Sequence, residues 1–143
     1  MLIGIPEDIG VRANFGVGGT QTVWKSFMQS FFNIQHNQFL NGNSILLLGE
    51  FDFSELQKKA KNKPVEYLRE LVVEIDKQVA TLIQKVVASG KIPILIGGGH
   101  NNAYGNIKGA ALGLQEAGKI KKAQINVINF DAHADFRALE GRH

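Results

Sequence analysis

The sequence contains no cysteine. That absence removes disulfide frameworks, thiolate nucleophiles and cysteine-ligated zinc together, and it fits a reducing cytoplasm, the expected location. No apolar run reaches the roughly 18 residues a bilayer span requires, so no membrane partner is expected. The N-terminal MLIGIPEDIG lacks the basic region and long apolar stretch of a secretory signal, and reads as a strand that begins almost at once. Strong charge of one sign is lacking too. The net charge is +3, and the lysines gather in two short runs, Lys58, Lys59, Lys61, Lys63 and Lys119, Lys121, Lys122. Neither run is interleaved with aromatics or placed on a recognition helix, so both read as solvated surface and no nucleic-acid partner is expected. With 44% hydrophobic residues in 143, the chain can build one globular core.

What is present is an alternation of short apolar runs and helical periods. Residues 1–5 and 44–48 (SILLL) are apolar runs bounded by Gly, Pro and Asn, which predicts strands. Between them, Val23, Trp24, Phe27, Met28, Phe31 and Phe32 recur at spacings of three and four, the signature of an amphipathic helix. QHNQFLNGN reads as a loop. The clearest helix is 64–89, with Pro64 at its start, Gly90 at its end and a stripe of Leu68, Leu71, Val72, Ile75, Val79, Leu82, Ile83 and Val86. A buried strand over 92–97 breaks into three glycines, a helix of roughly 102–117 is stopped by Gly118, and INVINF at 125–130 predicts a further strand. This order predicts a three-layer α/β/α fold around a mainly parallel sheet, with residues 1–143 forming a single domain or part of one.

Functional groups in parallel sheets collect beyond the carboxyl ends of the strands. Two such ends are polar here: Gly97-Gly98-Gly99-His100 and Asp131-Ala132-His133-Ala134-Asp135. A right-handed crossover between the two strands would put both clusters on one rim. In an extended segment, positions i, i+2 and i+4 face one way, so Asp131, His133 and Asp135 would share a face and the two alanines would turn from it. Carboxylate oxygens with imidazole nitrogens suit Mn(II), Zn(II) or Fe(II), and two carboxylates at one point repel unless a cation lies between them. A lone Asp-X-His is commonly a turn or surface ion pair. Three alternating ligand types beside a second histidine favour a metal site with His100, Asp131, His133 and Asp135 as ligands.

Other features read more plainly. GGGHNNAYGN resembles a phosphate cradle, but it is not G-x-G-x-x-G and no Lys-Ser/Thr follows, so the glycines are expected to let His100 approach the rim uncrowded. His36 reads as a solvated histidine. Glu7 and Asp8, after Pro6, read as part of a turn. Asn14 lies in a glycine-containing loop at the end of the first strand, on the functional rim, where it is a candidate substrate contact.

GGGH followed by FDAHAD resembles the arginase/agmatinase/formimidoylglutamase (ureohydrolase) family, whose motifs are Gly-Gly-X-His and Asp-Ala-His-X-Asp. GIPEDIGVRANFGVGGT is similar to the opening of the formimidoylglutamase-like branch. The resemblance implies two Mn(II) ions in the intact enzyme, with His100 and Asp135 binding one, His133 the other and Asp131 bridging both. It implies a metal-bridging hydroxide, served by Asp131 and His133 as catalytic residues, that attacks a formimidoyl or guanidino carbon and expels an amine. The partner is then a small-molecule amidine or guanidino substrate, and the assembly a homo-oligomer.

Gly99 and Asn101 stand where arginases commonly carry Asp and Ser, which points away from arginine as substrate. Arg137 and Arg142 are placed to bind a substrate carboxylate bidentately, although Arg137 reads equally as a structural ion pair. Asn101 is a second substrate-binding candidate. Formimidoylglutamate, cleaved to glutamate and formamide, is the expected substrate. Arginase or agmatinase activity, or an inactive member serving as a binding or assembly module, are the alternatives. The family completes its site with a downstream Asp-X-Asp, so the 143 residues are expected to be the N-terminal portion of a longer enzyme and inactive alone.

Overall fold

A computed structural model of the protein describes residues 1–133. The elements run β1 (Leu2–Gly4), α1 (Ile9–Ala13), α2 (Val23–Phe31), β2 (Leu47–Glu50), α3 (Ser54–Lys59), α4 (Val65–Ala88), β3 (Ile94–Ile96) and α5 (Asn102–Glu116). The sheet has the order β2-β1-β3 and is parallel throughout, with Leu2 beside Leu47 and Ile94, and Gly4 beside Glu50 and Ile96. Successive residues of β1 face opposite sides. Ile3 and Ile5 enter the core cluster with Leu68, Leu71, Ile75, Val79 and Ile83 of α4. Gly4 faces the other way, where an added Cβ would lie 2.4 Å from Cδ2 of Trp24 in α2. Helices therefore cover both faces of the strands, as the α/β/α expectation requires.

The long helix follows its periodicity. Leu68, Leu71, Ile75, Val79, Ile83 and Val86 are all buried, and Val72 and Leu82 pack half-buried against them. Each such side chain contributes about 1.5–3 kcal/mol when fully buried. Pro64 is the N-cap, with helical residues starting one position later at Val65. At the other end Gly90 adopts φ +76, its N–H donates to the Val87 carbonyl, and Lys91 N–H donates to Val86, the double closure that only a left-handed residue permits. Gly118 closes α5 in the same way on Gln115 and Leu114.

α4 and α5 meet along a feature that hydrophobic periodicity does not reveal. Gly105, Gly109 and Gly113 recur every four residues on α5, and a Cβ at Gly109 would sit 2.6 Å from the Ala80 carbonyl oxygen and 2.8 Å from Cβ of Ile83. The glycines bring the two backbones together at a distance no side chain would allow.

Two expected strands differ from the structure. The run at 44–48 enters the sheet later, at Leu47–Glu50, because Gly42–Ser44 closes a 3-10 turn in which the Asn41 side chain accepts from Asn43 N–H at 2.9 Å. The expected strand at 125–130 does not form. Val127, Ile128 and Phe130 are 55%, 80% and 95% exposed, and β3 pairs with β1 alone among the described residues. A parallel strand is stable when both its faces are covered. Here α5 is engaged with α4, and an open cavity of about 820 Å³ lies between α5 and residues 123–126. Among the described residues no helix is long and apolar enough to cross a membrane.

The glycine seam gives a direct test. Gly109→Ala gains about 1 kcal/mol of helix propensity but forces α5 off α4, an overpacking that costs about 1–3 kcal/mol. A net fall in the urea midpoint is expected; an unchanged or raised midpoint would place the helix contact elsewhere.

Candidate metal centre

His100 follows β3 by four residues, in the turn that enters α5. Asp131 and His133 follow the 125–130 segment. Although that segment is not paired, the structure brings these three residues together. His100 Nδ1 lies 3.3 Å from Asp131 Oδ2, and His133 Nδ1 lies 3.4 Å from Asp131 Oδ1. The backbone N–H of His133 donates to Asp131 Oδ1 at 2.8 Å. That bond, followed by the two imidazoles, holds the Asp131 carboxyl below its ordinary range against the opposing effect of desolvation. The arrangement is two His–Asp pairs sharing one carboxylate, each oxygen facing a different ring. Among the described residues no three His, Asp or Glu side chains converge as a group on one ion. Asp135, Arg137 and Arg142 lie outside the described residues.

The substrate candidates fall in different places. Asn14 is exposed at the C-cap of α1. Asn101 turns inward: both atoms of its amide are enclosed without a hydrogen-bond partner, and its Oδ1 occupies the space a Cβ on Gly10 would need, 1.8 Å away. His36 is exposed, in a shallow groove bordered by Phe32 and Leu40.

Behind the rim stands a polar layer that the sequence reading passed over as a turn. Glu7 is 0% and Asp8 6% exposed. Glu7 Oε1 accepts from Gly99 N–H at 3.0 Å and from Asn102 Nδ2 at 2.6 Å, while Oε2 accepts from Gly10 N–H at 3.1 Å. Asp8 accepts from Arg12 Nε at 2.9 Å and from Gly19 N–H at 3.0 Å. Arg12 continues to the Ala60 carbonyl at 3.2 Å and Gln57 Oε1 at 2.9 Å, tying α1 to the end of α3. One signal in the sequence bore on this layer: Asp8 and Arg12 stand four apart, the spacing of a helical ion pair. Nothing local marks Glu7 or Asn102, which meet across 95 positions.

Of the glycines in GGGH, Gly98 and Gly99 pack against this layer, and Gly97 lies against the Ile5 carbonyl. Gly97 and Gly98 adopt φ +96 and +75; a Cβ on Gly98 would lie 2.4 Å from Asn102 Nδ2, and one on Gly99 2.5 Å from Asn101 Oδ1. They let the loop wrap inward onto Glu7.

Half-buried Asp76, on α4, is pushed up to about 6, first by desolvation and then by the Glu7 carboxylate, with Lys108 opposing. Its folded form holds a proton more readily than the unfolded chain, so this group's contribution falls as pH rises from about 3.8 to about 6. Asp76→Asn is therefore expected to raise the urea midpoint at pH 7.5 and to change it little at pH 4; a loss of stability at both pH values would contradict the charge assignment.

The family model described as Arginase family matches residues 1–143. The chain is 28% identical over 144 residues to a formimidoylglutamase of Psychrobacter cryohalolentis, covering 95% of this chain and 40% of that protein. It is 29% identical over 143 residues to a formimidoylglutamase of Streptococcus gordonii, covering 97% of this chain and 36% of the relative. A formimidoylglutamase of Geobacillus thermodenitrificans is 42% identical over 75 residues, 51% of this chain and 20% of its own length. The chain thus spans 36–40% of the length of the relatives it matches nearly end to end. No solved structure matches it.

Proposed function

The chain belongs to the arginase family, and from that premise we propose that it forms part of a manganese-dependent hydrolase of linear amidines, with formimidoylglutamate, cleaved to glutamate and formamide, as substrate. The observation that carries this reading is the Asp131 carboxylate presenting one oxygen to His100 and the other to His133. Oxygen and nitrogen donors without sulfur suit Mn(II). His100, Asp131 and His133 are of the donor types that the group implied by the resemblance requires. His100 and Asp135 would hold one ion and His133 the other, with Asp131 common to both. Bound there, the ions supply a water that loses its proton near neutral pH.

The chain's own residues do the rest. The N–H of His133 donates to Asp131 Oδ1 and holds that carboxyl below its ordinary range. Arg137 would bind a substrate carboxylate bidentately. Exposed Asn14 would make a polar contact to the same substrate, whereas Asn101 would reach it only by rotating out from between Gly10 and Gly99. Similarity to proteins named formimidoylglutamase supports this substrate over arginine. Self-association into a homo-oligomer is part of the same proposal.

In the full-length protein, Asp131→Ala is expected to abolish manganese-dependent hydrolysis, with His36→Ala retaining wild-type rates. Two Mn(II) ions still bound in Asp131→Ala would remove that residue from the site. The substrate is tested separately. kcat/KM for formimidoylglutamate should exceed that for arginine and agmatine, and a comparable constant for arginine would overturn the reading of Gly99, Asn101 and Arg137.

A further inference from the structure

Glu7 has no exposed surface, and its three hydrogen-bond donors are neutral N–H groups. An apolar residue here would leave the N–H groups of Gly10 and Gly99 and the Asn102 amide without this acceptor, so Glu7 serves stability, but stability alone does not say why it takes these three donors. The placement of its partners does. Gly99 immediately precedes His100, and Asn102 follows it by two; both are tied to the same oxygen of Glu7, and Asn102 Nδ2 also donates to the Gly99 carbonyl at 3.1 Å. Oε2 holds Gly10 in α1, so the carboxylate is anchored to the β1 end of the sheet. His100 itself points away, to Asp131 at 3.3 Å.

We propose that Glu7 is the positioning residue for His100: the buried carboxylate fixes the loop on both sides of the histidine, and so sets how tightly the ion held by His100 binds. This rests on the reading of His100 as a metal ligand. Gln at this position keeps the length and one acceptor oxygen but turns an amide N–H₂ toward a donor, releasing either Gly10 or the loop.

The test is a Mn(II) titration of the full-length protein, followed by electron paramagnetic resonance and calorimetry, beside thermal midpoints. The variants are Glu7→Gln, Asn102→Ala, His100→Ala and the core change Ile83→Ala. Glu7→Gln and Asn102→Ala should each weaken one of two ions by about tenfold or more, as loss of a supporting hydrogen bond typically does, and spare the other. The weakened ion should be the one lost in His100→Ala. Ile83→Ala should lower the thermal midpoint and leave both affinities unchanged. Should Glu7→Gln not fold, Asn102→Ala reads the same loop with Glu7 in place. Wild-type affinity for both ions in either loop variant overturns the proposal, and so does an equal loss in Ile83→Ala, which would make the effect one of global stability. If His100→Ala itself keeps both ions, the ligand reading fails before the positioning one, and the two failures are told apart.

Discussion

A carboxylate sealed from water between two strand ends is the constraint around which this molecule is arranged. Removing such a group from solvent costs several kcal/mol unless donors replace the water it loses, and Glu7 finds three, from Gly10, Gly99 and Asn102. Backbone donors must come close to serve it, which is why glycine stands at positions 10, 98 and 99, where any Cβ would strike Asn101, Asn102 or Val11. PEDIG near the start and GGGHNN near position 100 are thus two halves of one object. The Asp8–Arg12 pair extends it outward to Gly19 on one side and Ala60 on the other. His100 and the first turn of α5 inherit their places from this arrangement.

The three longer helices were legible because each is written in local chemistry, whereas the short α1 (Ile9–Ala13) and α3 (Ser54–Lys59) were not expected. The stripe on α4 and the glycines at 90 and 118 act within a few residues of themselves, and they terminate where the spacing says they should. The sheet was legible in kind and less so in position. Asn41 and Gly42 drew the residues after them into a turn, and the second strand began three places late. INVINF has the composition of a buried strand, but composition does not supply a partner edge, and the run lies exposed. His100, Asp131 and His133 lie near one another without the expected strand, as two His–Asp contacts about one carboxylate. What alternation could not reveal is the layer behind. Glu7 and Asn102 have no pattern in common and become a pair only when β1 and β3 lie side by side.

The glycine seam between α4 and α5 has an implication for how the helices are aligned. Gly105, Gly109 and Gly113 face Val79, Ile83 and Val87, and the carbonyls nearest them belong to Asp76, Ala80 and Gln84. Both series repeat every four residues. Sliding α5 along its axis by one repeat, about 6 Å at 1.5 Å per residue, would set each glycine against a β-branched side chain again. The seam behaves as a rack with equal teeth: it fixes how close the helices lie and leaves their relative offset nearly degenerate. The offset is marked at both ends of the rack: Asn102 opens α5 bound to Glu7, and Gln84 of α4 donates to Glu116 of α5 at 2.7 Å.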